Sequence, residues 1–267
     1  GDEGLDLGQI IDLYENEGAT IFPPAETAIG RFFRGIKAAF DPRYAPDGLD
    51  RLLRSNFRDL RLSDALVPII VPSYDIGHNE VLVFKSRKTA DPRYDATLRE
   101  VCRATSAAPT YLPSFKMEYP DRTGTVKERV CIDGGIYANN PTMAAVAEVI
   151  KHGHRGERVA LEDIQCLSLG TGNHVKELDE QGSMDWGLFN WARPITDVMM
   201  QASSLAVEYE AEQLLSTYLR LQFHIHDERF SDMADARPET RAHIKRLVNE
   251  QLLQPETLER LRAFLAD

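Results

Sequence analysis

The sequence has few cysteines and no long apolar run. Its 267 residues include three cysteines, Cys102, Cys131 and Cys166, and their spacing matches no metal site. An odd number of thiols within apolar segments is typical of a reducing compartment, so we predict a cytoplasmic protein. No apolar stretch reaches the length that spans a bilayer, and we therefore expect only peripheral contact with a membrane.

Positive charge is also scarce. The chain has 31 Lys and Arg residues against 42 Asp and Glu residues, which gives a formal net charge of -11 at pH 7. Nucleic-acid phosphates would be repelled on average by such a protein, so the composition argues against a nucleic acid polymer as partner. A hydrophobic content of 43% suffices for one substantial core, and we predict a single domain over residues 1–267.

Two glycine-rich enzyme motifs are missing. The chain contains no Gly-x-Ser-x-Gly, the turn that presents a nucleophilic serine in α/β hydrolases. Gly170-Thr171-Gly172 is followed by neither the Lys-Ser/Thr of a phosphate-binding loop nor the further glycines of a dinucleotide fold. We therefore expect no organic cofactor, and we predict that Gly170-Thr171-Gly172 lets two strands pass close together.

Short β-rich runs alternate with helical patterns along the chain. Strands are predicted at 67–72, 81–84, 129–132, 164–169 and 218–226. Apolar residues at helical spacing predict helices at 95–105, 140–151, 194–215 and, as a pair, within 238–266. Apolar strands between helices are typical of a sheet covered on both faces, so we predict a three-layer α/β/α fold with a central, mostly parallel sheet.

Asp133-Gly134-Gly135 is the most informative feature of the sequence. It follows the apolar run Arg129–Ile132 and precedes a helical pattern, so the acid lies at the end of a strand on a glycine turn. A carboxylate fixed in this way can take the proton of a serine hydroxyl without a histidine. Glycines here would permit a positive φ and close approach to a neighbouring backbone. Because Asp-Gly pairs are also common in turns, capping of the turn by Asp133 is the alternative.

Two further blocks accompany this turn, Arg103–Pro113 before it and Leu167–Gly172 after it. In their order and spacing the three blocks resemble those of the patatin-like phospholipases, over about Leu5 to Leu221. The resemblance implies a patatin-like α/β/α fold and a phospholipase A-type activity, in which a Ser–Asp dyad cleaves fatty-acyl esters of membrane phospholipids.

The resemblance assigns the acid of the dyad to Asp133, with Gly134 and Gly135 supporting its turn. We expect the family's first strand, Gly-rich oxyanion loop and nucleophile serine to lie in a part of a longer enzyme that precedes Gly1. The alternative is a catalytically inactive lipid-binding or regulatory protein on the same fold. Some bacterial members bind a cyclic nucleotide, so a small-molecule activator of that kind is kept as a candidate partner. A homo-oligomer is kept as a second candidate.

A basic amphipathic segment is a candidate for contact with the phospholipid surface. Its apolar residues recur at helical spacing with Arg31, Arg34 and Lys37 between them. We predict that Phe32 and Phe33 touch the membrane; packing of the same apolar side on the core is the alternative.

A third interpretation comes from His224 and His226. On a strand, residues two apart lie on one face, and two imidazoles so placed could be ligands of a zinc ion. A metal-dependent hydrolase is therefore kept as a further alternative, although no other ligand motif accompanies the pair.

Overall fold

The computed structural model describes residues 6–23, 41–154, 156–174, 180–191 and 194–266. Phe32 and Phe33 lie outside these residues. The chain forms two compact units: Gly1–Ile136 with Ala234–Arg237, and Tyr137–Met233 with Pro238–Asp267. The single domain over residues 1–267 stays a prediction.

The first unit combines three helices with four strands in its described part. The helices are α1 (Leu7–Ile21), α2 (Asp47–Phe57) and α3 (Leu98–Thr105). The strands are β1 (Ile70–Asp75), β2 (Glu80–Lys85), β3 (Phe115–Pro120) and β4 (Val126–Asp133). A single helical turn, α4 (Gly135–Ala138), follows β4 directly.

The four strands form one sheet in the order β2-β1-β4-β3, and each neighbouring pair is antiparallel. Strands joined by short turns must run antiparallel, and only residues 76–79 connect β1 to β2 while residues 121–125 connect β3 to β4. The predicted α/β class is confirmed, since the chain contains both helices and strands. The parallel pairing that we expected around Asp133 is absent from these four strands, which all pair antiparallel.

Helix α3 covers one face of this sheet. Thr97 caps its start, since its side chain accepts a hydrogen bond from the Glu100 backbone while the Glu100 carboxylate accepts one from the Thr97 backbone. The helix contributes Val101 and Ala104 to the core of the unit. The buried core residues are Leu62, Phe84, Val101, Ala104, Met117 and Cys131. This packing fixes the end of α3, and the loop after it, against β1 and β4.

The second unit contains the parallel strand pairs. Its helices are α5 (Thr142–His152), α6 (Glu180–Ser183), α7 (Leu188–Trp191), α8 (Pro194–Leu214), α9 (Pro238–Gln251) and α10 (Pro255–Ala266). Its strands are β5 (Gln165–Leu169), β6 (Asn173–His174), β7 (Thr217–Leu221) and β8 (His224–Ile225). β5 pairs with β7 and β6 with β8, both in parallel. None of the helices in the described ranges is long and apolar enough to cross a membrane.

The glycine loop between β5 and β6 passes close to the chain between β7 and β8, as predicted. Gly170 donates its N–H to the Leu221 carbonyl at 2.8 Å. Gly172 has a φ of 99°, and a Cβ there would lie 2.6 Å from the Phe223 ring. The predicted strand 218–226 is observed as two short strands, β7 and β8, with residues 222–223 between them.

Candidate active site

Asp133 is the last residue of β4, which is an inner strand of the antiparallel sheet. Its backbone pairs across the sheet with Ser73 of β1. Its N–H donates to the Ala107 carbonyl at 3.0 Å, so the loop after α3 holds the end of β4 from the other side. The structure therefore brings Asp133 together with the Arg103–Pro113 block.

Gly134 is required by the close approach of β1. A Cβ at this position would clash with the backbone carbonyl of Pro72, a group that cannot move without distorting the strand. Neither Gly134 nor Gly135 has a positive φ, so that part of our expectation is wrong. Space rather than backbone conformation explains Gly134 at the start of the turn.

The two carboxylate oxygens of Asp133 have different surroundings. Oδ1 accepts a hydrogen bond from the Gly135 N–H at 2.7 Å, so Asp133 does cap the turn. Oδ2 has no hydrogen-bond partner within the part of the chain that the structure describes. One oxygen thus fixes the side chain, which leaves the other oxygen to accept a proton from a substrate or a nucleophile.

Burial raises the pKa of the Asp133 carboxyl above its usual value, and the hydrogen bond from Gly135 opposes the shift. A raised pKa makes this carboxylate a stronger base than an exposed aspartate. It is still ionised over the pH range above its raised pKa, which a general base requires.

The raised pKa predicts a pH-dependent effect of Asp133→Asn on stability. The pKa of the Asp133 carboxyl is higher in the folded state than in the unfolded state. The protonated carboxyl therefore stabilises the folded state, and this contribution is complete below the unfolded pKa of about 3.9. That contribution is lost as the pH rises through the folded pKa, so the ionised carboxylate opposes folding at neutral pH. We expect Asp133→Asn to raise the melting temperature at pH 7 and the gain to shrink below pH ~4. Thermal unfolding at both pH values measures it, and a lower melting temperature at pH 7 would contradict it.

Two hydroxyl groups of the elements packed around the end of β4 donate to backbone carbonyls. Ser73 has no solvent exposure (0%), and its hydroxyl donates to the Ile132 carbonyl at 2.8 Å. The Thr105 hydroxyl donates to the Pro72 carbonyl at 2.7 Å. Because a nucleophile must reach its substrate, neither Ser73 nor Thr105 fits that role.

The Arg103–Pro113 block is anchored by its own arginine. The buried Arg103 guanidinium donates from Nη2 to the Pro113 carbonyl at 3.0 Å, which closes the loop, and its Nε lies 3.3 Å from the Asp50 carboxylate. This arginine was not predicted as a site residue. Its contribution is to hold the loop whose Ala107 carbonyl binds Asp133.

His224 and His226 lie on the exposed side of the chain at β8, with the buried Ile225 between them. Their ring centroids are 6.3 Å apart, so the predicted shared face is observed. Among the described residues, no group of three or more His, Cys, Asp or Glu side chains could hold a metal ion. The structure therefore offers no completed metal site at this pair.

Comparison with known proteins shows the family to which the chain belongs. A family model described as patatin-like phospholipase matches residues 6–146, which is more than half of the chain and includes Asp133. The chain belongs to the patatin-like phospholipase family. All of β1 to β4 and the glycine turn lie within the matched residues.

Its relatives in this family include plant proteins. "Patatin-like protein 2" of Arabidopsis thaliana is 33% identical over 235 residues, which cover 80% of this chain and 58% of that protein. "Patatin-like protein 2" of Oryza sativa subsp. indica is 29% identical over 244 residues, covering 80% and 59%. "Probable inactive patatin-3-Kuras 1" of Solanum tuberosum is 26% identical over 229 residues, covering 80% and 59%. The chain thus spans less than two thirds of each of these relatives.

Proposed function

We propose that the protein is a lipid acyl hydrolase of the phospholipase A type, which cleaves fatty-acyl esters of membrane phospholipids with a Ser–Asp dyad. Asp133 is the acid of the dyad. The serine and the oxyanion loop belong to a part of a longer protein that precedes residue 1. The observation that carries the proposal is the Asp133 carboxylate, fixed through Oδ1 by Gly135 and unpaired at Oδ2 in the described part of the chain.

In the proposed reaction, the serine oxygen attacks the acyl carbonyl while Asp133 Oδ2 takes the hydroxyl proton. Backbone amides of the oxyanion loop stabilise the negative charge of the tetrahedral intermediate. The intermediate collapses when Asp133 returns the proton to the departing lysophospholipid oxygen. Water then attacks the acyl-enzyme while Asp133 takes its proton, and Asp133 returns that proton to the serine oxygen as the fatty acid leaves.

Three features of the structure support Asp133 in this role. The hydrogen bond from Gly135 orients the carboxylate, burial increases its proton affinity, and the neighbouring hydroxyls of Ser73 and Thr105 are already bound to backbone carbonyls. A serine delivered beside Oδ2 would therefore meet a base that is positioned before the substrate arrives.

Fatty-acid release from phosphatidylcholine vesicles tests the proposal. The assay uses the complete protein with its preceding residues, with and without a metal chelator. We expect release that the chelator leaves unchanged and that a serine-directed fluorophosphonate abolishes. Loss of release with the chelator would instead favour the metal-dependent hydrolase built on His224 and His226.

A second candidate function is lipid binding without catalysis. It is favoured by one relative, the potato protein named as a probable inactive patatin, at 26% identity. A complete protein that binds vesicles but releases no fatty acid, and that the fluorophosphonate does not label, would establish this second function and reject the first.

A further inference from the structure

A strained residue lies in the loop that binds Asp133. Thr110 has a φ of 73°, which is in the left-handed region that residues with a branched Cβ rarely adopt. Among the described residues, the other positive φ values outside glycine belong to Arg58 and Asn79, and neither of these has a branched Cβ. Thr110 therefore carries the largest conformational cost of the three.

The sequence Ala108-Pro109-Thr110-Tyr111 forms a type II β-turn. The Tyr111 N–H donates to the Ala108 carbonyl at 3.1 Å, which closes a turn of four residues. Proline at the second position fixes a negative φ there, so the positive φ at the third position identifies type II. Glycine is the usual residue at that third position. The turn itself therefore gives no reason for the side chain of Thr110.

Backbone hydrogen bonds from a neighbouring segment hold the turn in place. The Arg43 N–H donates to the Thr110 carbonyl at 2.8 Å, and the Tyr44 N–H donates to the Tyr111 carbonyl at 2.9 Å. Tyr44 and Leu112 are buried in one hydrophobic cluster. A strained backbone persists only where the surrounding structure determines its conformation in this way. The position of Thr110 is thus fixed from both sides of the turn.

The side chain of Thr110 has no structural role among the described residues. It is exposed, and its hydroxyl forms no hydrogen bond within the part of the chain that the structure describes. No contact in that part offsets the conformational cost of a branched side chain at this φ. Residues held in such conformations cluster at sites that bind or convert a ligand, so the side chain is a candidate for contact with one.

The turn lies close to Asp133. It begins one residue after Ala107, whose carbonyl accepts the Asp133 N–H at 3.0 Å. Because consecutive Cα atoms are 3.8 Å apart, the Thr110 Cα lies at most about 11 Å from the Ala107 Cα. A phospholipid spans half of a bilayer whose core is about 30 Å thick. One lipid molecule is therefore long enough to contact both Asp133 and Thr110.

We propose that Thr110 is a substrate-binding residue, whose hydroxyl donates a hydrogen bond to a phosphate or ester oxygen of the phospholipid. The proposal rests on the proposed function, because Asp133 determines where that lipid is held. The strained turn fixes the hydroxyl before the lipid arrives, so less conformational entropy is lost on binding. Glycine would relax the turn but would offer the lipid no donor.

Binding of a short-chain diether phosphatidylcholine to the complete protein, measured by calorimetry, tests the hydroxyl. The ether bonds resist hydrolysis, so binding is separated from catalysis. We expect Thr110→Val, which keeps the branched Cβ, to weaken binding about tenfold, and Thr110→Ser to bind like the parent protein. Thr125→Val is the control. Thr125 is exposed and lies just before β4, at the other end of that strand from Asp133, so this variant should keep the parent affinity.

The melting temperature tests the strain. Thr110→Gly should raise it by about 2–4 °C, because glycine adopts a positive φ without steric cost, and should weaken lipid binding as much as Thr110→Val does. Arg58→Gly is the control, since Arg58 is exposed with a φ of 45°. It should raise the melting temperature and keep the parent affinity. A purely structural residue would not combine higher stability with weaker binding.

The inference is overturned if the parent protein does not bind the diether lipid, if Thr110→Val binds it as tightly as the parent, or if Thr110→Ser loses as much affinity as Thr110→Val. It is also overturned if Thr110→Gly melts below the parent, because the turn would then not be strained. The two proposals fail separately. Weaker binding by Thr110→Val in a protein that releases no fatty acid keeps the role of Thr110 and rejects hydrolysis. Fatty-acid release with equal lipid affinity in all Thr110 variants rejects the role of Thr110 alone.

Discussion

Asp133→Asn in the complete protein is expected to lower the rate of fatty-acid release from phospholipid vesicles about a thousandfold, in the range usual for a general base. Asparagine keeps an oxygen that can accept the Gly135 N–H, which Asp133 Oδ1 binds at 2.7 Å. The turn should therefore survive while the proton acceptor is lost.

Asp121→Asn is the matched control for this prediction. Asp121 also caps a turn of the same sheet, since its Oδ1 accepts the N–H groups of Thr123 at 2.8 Å and Thr125 at 3.0 Å. It lies in the turn between β3 and β4, at the start of β4, whereas Asp133 lies at the end of β4. Its variant should release fatty acid at the parent rate. Full activity of Asp133→Asn would reduce Asp133 to a capping residue.

Gly134→Ala is expected to cost about 3 kcal/mol of the free energy of unfolding, at the upper end of usual overpacking effects. A Cβ at Gly134 meets the backbone of Pro72. Pro72 cannot move away freely, because its carbonyl binds the Thr105 hydroxyl and it pairs with Val83 of β2. Either β1 and β4 separate or the turn after Asp133 shifts.

Gly187→Ala separates this clash from the general effect of adding a methyl group. A Cβ at Gly187 would have no atom within 4 Å, so the stability of that variant should stay within ~0.5 kcal/mol of the parent. Urea unfolding of both variants, followed by circular dichroism, gives the comparison. Equal stabilities of the two variants would mean that the strand accommodates a side chain at position 134.

Local sequence patterns predicted the position of Asp133 well. The apolar run before it forms a strand, and glycine follows because β1 leaves no room for a side chain. The direction of the strands around it was harder to predict. An apolar run indicates that a strand is buried but not the direction in which it pairs. The antiparallel pairing is set by the short turns after β1 and β3. β3 was missed because its apolar residues alternate with Lys116 and Glu118 and the run ends at Pro120.

The backbone groups that surround Asp133 and Gly134 could not be predicted from residue types. Ala107 and Pro72 contribute backbone carbonyls, and nothing in the side chains of alanine or proline signals such a role. Gly134 shows the same limit, since the sequence indicated a special backbone position without distinguishing positive φ from close approach. Arg103 was overlooked because its effect on the loop arises only when Pro113 folds back toward it.

The central claim is that Asp133 takes the proton of the attacking serine. The most direct test is the rate at which a lipid-like fluorophosphonate labels that serine in the complete protein, before and after Asp133→Asn. We predict that labelling slows by about the same factor as fatty-acid release, on the order of a thousandfold, while Asp121→Asn labels at the parent rate. Labelling of the Asp133→Asn protein at the parent rate would contradict the claim, because the serine would then be activated without Asp133.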